Sequence, residues 1–251
     1  MKEMWTCRGM AIVEEKTVLE VVKDLLRPIR NNTRRWLNYN VLSVYGQCGE
    51  DKLLAKLMNK KNGFYVDVGA NHPIHLNNTY KFYKKGWRGI NIDPIKSNID
   101  LLKKIRPIDK NLLLGVSNVC GEQEFFVFND NALSTFSKEL AESWVKNGYK
   151  VVSTVKVKLV RLEDVFEKYG CEEIDLLSVD VEGMDLQVLK SNNWDKFKPT
   201  FICLEVGNSD LNRVMFKKYL IPRGYRVIGD TGINIIFKIV NNSNSHGWTL
   251  W

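Results

Sequence analysis

The sequence predicts an α/β fold with a doubly wound, mostly parallel sheet, preceded by an N-terminal helical extension and closed by a C-terminal antiparallel hairpin. Short apolar runs of strand length recur along the chain, and segments with helical periodicity separate them. Gly, Pro or Asn occupies most of the positions where a strand-like segment meets a helical one. Strands that are buried on both faces have such uninterrupted apolar runs, which indicates parallel pairing.

The start of the chain is predicted to be helical and to lie outside the main sheet. Residues 11–26 carry apolar side chains at mostly helical spacing, and Pro28 interrupts the pattern. A second helix is predicted over Glu50–Met58. We therefore assign residues 1–44 to a helical extension and residues 45–240 to the main domain.

Strands and helices alternate from residue 64 onwards. Strands are predicted over Phe64–Val68, Arg88–Asp93 and Leu112–Val116, with helices over Asn78–Lys85 and Ser97–Ile105 between them. This βαβαβ order favours right-handed crossovers with helices on both faces of the sheet.

The second half of the domain begins with a β-rich elaboration, residues 122–161, that we interpret as a lid. The further elements are predicted as strands Glu124–Phe128 and Val151–Val160 around helix Lys138–Asn147, then strand Ile174–Asp180, helix Met184–Lys190, strand Phe201–Val206, helix Asn212–Leu220 and a hairpin of Tyr225–Ile228 with Ile233–Ile239. Residues 241–251 are expected to form a flexible tail.

Composition excludes several classes of protein. The five cysteines are an odd number without a C-x-x-C pair, so neither a disulfide framework nor a zinc site is indicated. The net charge is +8, but the lysines are dispersed as pairs, so nucleic-acid binding is not expected. No stretch approaches the roughly 18 apolar residues of a membrane span, and acidic residues interrupt the N-terminus, so we expect a cytoplasmic protein.

Polar residues follow the first two predicted strands, at the edge where open α/β sheets bind ligands. Gly69 begins the turn after the first strand, and Asp93 ends the second. An acid at this place can accept hydrogen bonds from a ribose diol. Asn71 and Pro73 stand where a pyrophosphate loop favours glycine, so the pattern favours a nucleoside ligand over a dinucleotide.

A second acidic cluster follows the strand that ends near Asp180. If the extended conformation persists, Asp180 and Glu182 point to the same face. Glu205 ends the next strand and adds a third carboxylate at this edge. Such groups are costly to bury unless something pairs with them, so a ligand, a metal ion, a general-base role, helix capping and a structural ion pair are all open interpretations.

Four ordered motifs resemble the FkbM family of S-adenosylmethionine-dependent methyltransferases. They are Gln47–Asp51, Phe64–Asn71, Gly86–Pro94 and Ile174–Gly183, and the resemblance covers roughly residues 45–238. It implies a Rossmann-like enzyme with S-adenosylmethionine as cofactor. Relatives mainly O-methylate sugars, glycans and polyketide hydroxyls, so the expected acceptor is a sugar, a glycan or a similar small hydroxyl compound.

The candidate site residues fall into three groups. The cofactor-binding candidates are Glu50, Asp67, Gly69, Ala70, Asn71, Asp93 and Ser117. The catalytic candidates are Asp180, Glu182 and His72, and a divalent cation such as Mg²⁺ would be bound by Asp180, Glu182 and Glu205. Some family members have His where Met184 stands, so that role cannot be transferred, and His75 is a further alternative base.

Two other functions remain open at this stage. A nucleic-acid methyltransferase would use the basic surface, but an adenine methyltransferase is expected to carry an Asp/Asn-Pro-Pro-Tyr/Phe motif where Asp180-Val181-Glu182-Gly183 stands. An inactive S-adenosylmethionine-binding module would have lost the acids, and they are present. The sequence therefore favours an O-methyltransferase.

Overall fold

A computed structural model describes residues 43–207 and 209–240. Contacts between Cα atoms divide the chain into Met1–Ser43 and Val44–Trp251, and the description below concerns the second unit. The helix predicted over residues 11–26 and the tail 241–251 lie outside the described residues, so both stay predictions. None of the helices in the described ranges combines the length and apolarity needed to cross a membrane.

Helices and strands alternate much as the sequence predicts. The helices are α1 (Glu50–Leu57), α2 (Tyr80–Lys84), α3 (Lys96–Ile105), α4 (Lys138–Lys146), α5 (Leu162–Lys168), α6 (Asp185–Lys190) and α7 (Asp210–Leu220). The strands are β1 (Phe64–Val68), β2 (Arg88–Asp93), β3 (Lys110–Leu113), β4 (Gly115–Val116), β5 (Gly121–Phe128), β6 (Val151–Val160), β7 (Leu176–Val179), β8 (Phe201–Glu205), β9 (Tyr225–Asp230) and β10 (Asn234–Ile239). Short 3₁₀ turns cover Asn131–Leu133 and Ile221–Arg223.

The main sheet has seven strands in the order β3-β2-β1-β7-β8-β10-β9. Neighbours from β3 to β8 are parallel, whereas β10 is antiparallel to both β8 and β9. The predicted α/β class, with its mostly parallel sheet and C-terminal antiparallel hairpin, is confirmed. The strand order reverses between β1 and β7, which places the topological switch point, and therefore the expected ligand site, at their carboxyl ends.

A second, three-stranded sheet has the order β4-β6-β5. We call residues 121–160, which comprise β5, the first 3₁₀ turn, α4 and β6, the lid. The prediction of one strand over Leu112–Val116 is wrong, because β3 ends at Leu113 in the main sheet and β4 pairs with β6 instead. The apolar run continues through this change of sheet, so its pattern does not reveal the break.

One helix was absent from the sequence predictions. Helix α5 buries Leu162, Val165 and Phe166 in the same core cluster as the first strand. Their spacing of three and four residues is the signature of an amphipathic helix, although seven residues are few for that signal. The helix links the lid to the core and ends before β7 begins.

The core lies on both faces of the central strands. Val66 and Val68 of β1 pack into the larger apolar cluster, while Tyr65 faces the smaller cluster with Phe82 and Trp87. This alternation fits a strand that is covered on both sides. Each such fully buried apolar side chain contributes about 1.5–3 kcal/mol through removal from water, so the strand ends that form the site rest on a rigid base.

Candidate active site

A cavity of about 690 Å³ opens at the carboxyl ends of the central parallel strands. Val68 of β1, Asp93 of β2 and Glu205 of β8 line it, together with the residues that follow β7. The cavity therefore lies at the topological switch point, as expected for this fold. Its volume falls within the range of small-molecule sites.

Asp93 supplies one wall of the cavity with a carboxylate. Its Oδ2 accepts a hydrogen bond from the Asn71 backbone N–H at 2.8 Å, and its Oδ1 accepts from Ile95 N at 2.8 Å and Asn98 Nδ2 at 3.1 Å. Burial raises the pKa of Asp93 to about 6, despite these hydrogen bonds. Oδ2 keeps acceptor capacity for a further donor, such as a ribose hydroxyl.

The turn after β1 passes close to the end of β7. Gly69 has a φ of 82°, and a Cβ at this position would lie 1.7 Å from the carbonyl oxygen of Asp180. Glycine is therefore required by the approach of two backbone segments as well as by the left-handed φ. Gly69 and Asn71 both line the cavity. Asn71 also adopts a positive φ of 45°, which asparagine tolerates better than most residues.

Asp67 does not face the cavity but a buried polar network beneath it. Its Oδ2 accepts hydrogen bonds from Thr79 Oγ1 at 2.7 Å and Asn77 Nδ2 at 3.2 Å. Asp67 is not among the residues that line the cavity, and its role as a cofactor ligand stays a prediction. Ala70 is likewise turned inward and packs with Ile99 and Leu102.

Arg106 holds this network to the loop that follows β1. Its fully buried guanidinium donates to Thr79 Oγ1 at 2.8 Å, to Asn77 Oδ1 at 2.6 Å and to the carbonyl of Pro73 at 2.9 Å through Nε. The positive charge also opposes the rise of the Asp67 pKa that burial causes. Arg106 thus fixes the loop that carries the Gly69 turn.

Three carboxylates meet on the cavity wall beyond β7, and we call Asp180, Glu182 and Glu205 the acid trio. One oxygen from each lies within 4.8 Å of the others. The extended conformation assumed for Asp180 and Glu182 is wrong, because β7 ends at Val179 and Glu182 has a φ of 48°. A turn, held by the Thr135 hydroxyl that donates to the Glu182 carbonyl at 2.8 Å, brings the side chains together instead.

Two acids of this wall, Asp180 and Glu182, have strongly raised pKa values. Burial, repulsion by Glu205 and a hydrogen bond with it raise the pKa of Asp180 well above its usual value. Burial and repulsion by the nearby Glu205 carboxylate raise the pKa of Glu182 to about 8. Two carboxyl groups in such contact share a proton more readily than both ionise. The acid trio therefore lacks the positive charge that would stabilise its ionised carboxylates.

Asp185 is an acid of this wall that sequence reasoning missed. It begins α6, lines the cavity and accepts a hydrogen bond from the backbone N–H of Val181 at 3.3 Å. Burial raises its pKa to about 7. Its position five residues after Asp180, directly beyond the motif that ends at Gly183, was the available signal.

The acid trio has the oxygen donors that a divalent cation prefers. Asp180, Glu182 and Glu205 each offer one carboxylate oxygen within the 4.8 Å limit. The clustered negative charge would also favour two other roles. One of the carboxylates could accept a proton, or the three together could bind an ammonium group. The donor set therefore fits a metal ion without requiring one.

The lid adds apolar and aromatic side chains to the cavity, and the sequence did not single them out. They are Phe125, Leu133, Phe136, Leu140 and Trp144. The rings of Phe125 and Phe136 lie 4.5 Å apart between centroids. Elaborations of this kind give a site an apolar surface and shield it from water.

Two further cofactor-binding candidates, Glu50 and Ser117, are not among the residues that line the cavity. Glu50 is fully buried and accepts hydrogen bonds from Asn234 Nδ2 at 2.5 Å and Cys48 N at 2.7 Å. Ser117 is also buried, with its backbone N–H donating to Val160 O at 3.0 Å. Internal hydrogen bonds occupy both residues, and their assignment to the cofactor stays a prediction.

His72 lies in the loop after β1 and is engaged with that loop. Its Nδ1 accepts hydrogen bonds from the backbone N–H groups of Ile74 at 3.1 Å and His75 at 2.9 Å. In the neutral ring, Nε2 then carries the hydrogen, so neither nitrogen offers a lone pair for proton abstraction. Neither His72 nor His75 is among the residues that line the cavity.

Comparisons with known proteins bear on the family of this chain. Residues 67–227 match a family model described as the methyltransferase FkbM domain. Among solved structures, the chain is similar to a TehB-like SAM-dependent methyltransferase from Corynebacterium glutamicum, with 11% identity and a TM-score of 0.39 over 84% of this chain and 97% of that one. A search of curated proteins finds no match.

Proposed function

The chain belongs to the FkbM methyltransferase family, and from this premise we propose that it transfers a methyl group from S-adenosylmethionine to a hydroxyl of a sugar, glycan or similar small acceptor. One observation carries the proposal. The acid trio and Asp93 line the same cavity at the switch point of the sheet. A site with one acid for the cofactor and a separate acidic cluster for the acceptor has the parts that methyl transfer to a hydroxyl requires.

The described residues fit S-adenosylmethionine. Asp93 would accept hydrogen bonds from the ribose hydroxyls, and the apolar side chains of Ile95, Leu114 and Val116 would pack against the base. Gly69 and Asn71 would face the methionine portion. When bound, the cofactor supplies a methyl group that is attached to a positively charged sulfur atom. An acceptor oxygen can take this methyl group.

Asp180 is the proposed proton acceptor. A sugar hydroxyl is a poor nucleophile at neutral pH, so its proton has to be removed as the new bond forms. Asp180 and Glu205 act as a pair, because the hydrogen bond between them lets one carboxylate stay ionised while the other holds a proton. Glu182 would bind and orient the acceptor, and the lid would exclude water.

Activation of the acceptor by a divalent cation bound to the acid trio is the competing mechanism. The three carboxylate oxygens lie close enough together to bind such a cation, so this mechanism is tested as well. The cation would lower the pKa of the acceptor hydroxyl and so replace the general base. In that case a chelator abolishes the activity of the wild-type protein. With Asp180 as base, activity persists in the chelator.

Transfer of labelled methyl groups from S-adenosylmethionine to a panel of sugars, glycans and nucleotide sugars tests the proposed function. We expect an ether product at a hydroxyl, and activity that survives a metal chelator. Cofactor binding without methylation of any hydroxyl compound would instead favour the inactive-module alternative.

We also propose residues 45–240 as the methyltransferase domain and residues 1–44 as its helical extension.

A further inference from the structure

The charge of the cavity differs from the charge of the whole protein. The chain carries a net charge of +8, yet five acids line the cavity: Asp93, Asp180, Glu182, Asp185 and Glu205. No Lys, Arg or His lines it within the part of the chain that the structure describes. The charged side chains that a phosphate group on the acceptor would meet in this lining are therefore all acidic, and like-charge contacts of this kind disfavour binding.

The lid contributes a second and different chemistry to the same cavity. Phe125, Phe136 and Trp144 are aromatic, and aromatic faces attract cations and pack on the apolar faces of rings. The indole nitrogen of Trp144 is buried without a hydrogen-bond partner. A buried donor of this kind calls for an acceptor atom, such as the oxygen of a bound hydroxyl compound.

The dimensions of the acid trio match an ammonium group. Three oxygens that lie up to 4.8 Å apart can all be reached from a central nitrogen at about 2.8 Å, the usual length of a charge-assisted N–H···O bond. An ammonium group has three donors and no acceptor, so three carboxylates satisfy it completely. Because each carboxylate has two oxygens, the second oxygen of Asp180 remains for a neighbouring hydroxyl of the acceptor.

From these features we propose that the methyl acceptor is an amino alcohol, such as an amino sugar, whose ammonium group binds to Asp180, Glu182 and Glu205. The proposal rests on the proposed function and narrows its acceptor class. The hydroxyl next to the amine faces Asp180 and is the group that is methylated, while the apolar face of the acceptor packs on Phe125, Phe136 and Trp144. Phosphorylated acceptors are excluded.

Calorimetry on the protein saturated with S-adenosylhomocysteine tests this inference. D-glucosamine and N-acetyl-D-glucosamine differ only at the C2 nitrogen, which is an ammonium group in the first and a neutral amide with an acetyl group in the second, and D-glucose 6-phosphate is the anionic probe. In the presence of EDTA, we expect glucosamine to bind at least about tenfold more tightly than the N-acetyl compound. The phosphate should show no binding.

Two variants show whether the acid trio is responsible. Glu205→Gln should remove the preference for glucosamine, whereas Glu172→Gln, an exposed acid away from the cavity, should keep it. Equal binding of the two sugars, tighter binding of the phosphate, or no binding of glucosamine would each overturn the inference.

A final arm separates an amine from a metal ion as the bound cation. MgCl₂ and MnCl₂ are each titrated into the same complex in buffer without EDTA. One result would assign the acid trio to a metal ion and overturn the inference. It is tight binding of either ion that Glu205→Gln abolishes, combined with loss of the preference for glucosamine. Methyl transfer to a neutral acceptor without any amine preference would overturn it as well, yet leave the proposed function standing. Failure to bind S-adenosylhomocysteine would count against the proposed function itself.

Discussion

Asp93 is the residue on which cofactor binding depends in the proposed site. It presents a carboxylate to the cavity and keeps acceptor capacity on Oδ2. We predict that Asp93→Ala weakens S-adenosylmethionine binding by about 1.5–3 kcal/mol for each hydrogen bond lost to the charged group. Asp100→Ala, which removes an exposed acid of α3 that pairs with Lys96, is the matched control and should bind normally.

The same interaction makes binding depend on pH. Burial raises the pKa of Asp93 to about 6, and only the ionised carboxylate can accept both ribose hydrogen bonds. Affinity should therefore be full well above pH 6 and decline as pH falls through it. Calorimetry across this range should show no such decline in Asp93→Ala. A decline of equal size in the variant would remove Asp93 from the ribose site.

The sequence predicted the acids at the cavity better than those beneath it. Asp93, Asp180, Glu182 and Glu205 all line the cavity, because each follows or ends a buried strand and the carboxyl ends of parallel strands share one edge. Asp67 also belongs to such a strand, but its side chain points to the segment before α2, where it accepts hydrogen bonds from Asn77 and Thr79. Strand position alone does not give the direction of a side chain near a strand end.

The element that most constrains the site is the turn from β1 into its loop. We predict that Gly69→Ala lowers the free energy of unfolding by about 1–2 kcal/mol for the left-handed φ, plus about 1–3 kcal/mol for the clash with the Asp180 carbonyl. Gly148→Ala shares a positive φ of 90° but has no atom within 4 Å of the added Cβ, so it should lose only the first amount. Urea unfolding of both variants checks this, and equal losses would contradict it.

Helix α3 acts on the site through the arginine that follows it. Arg106→Ala removes the buried hydrogen-bond donor of Thr79, Asn77 and the Pro73 carbonyl and the positive charge near Asp67. A buried polar group that is left unpaired costs about 1–3 kcal/mol. We predict a loss of that size in thermal or urea unfolding. Arg226→Ala, at an exposed position of β9, should change stability by less than about 0.5 kcal/mol. Similar losses for the two variants would argue against a supporting role for Arg106.

Most elements of the main sheet were predictable within one or two residues. Phe64–Val68 and Arg88–Asp93 have the predicted bounds, since uniform runs between glycine or proline signals leave little ambiguity. The exceptions depend on tertiary pairing. The switch of Gly115–Val116 into the second sheet depends on β6, which is distant in sequence, and α5 was too short for its periodicity to stand out.

At the scale of the whole molecule, the net charge is positive, whereas the charged side chains that line the cavity within residues 43–207 and 209–240 are all acidic. A net charge of +8 favours weak association with polyanions, but the acidic cavity repels phosphate. We predict that RNA and DNA oligonucleotides bind weakly and that binding falls steeply with salt. Fluorescence anisotropy at physiological salt checks this, and submicromolar affinity there would favour a nucleic-acid acceptor.

Asp180→Asn is the variant that tests methyl transfer in this cavity most directly, because it removes the proposed base and keeps the shape of the side chain. Cofactor affinity, measured by calorimetry, and turnover, measured with labelled S-adenosylmethionine, should respond differently. We predict nearly unchanged affinity and a loss of about 10²–10⁴-fold in turnover, while His72→Ala stays active. Near-normal turnover in Asp180→Asn, together with an inactive His72→Ala, would contradict the assignment and move the base to the loop after β1.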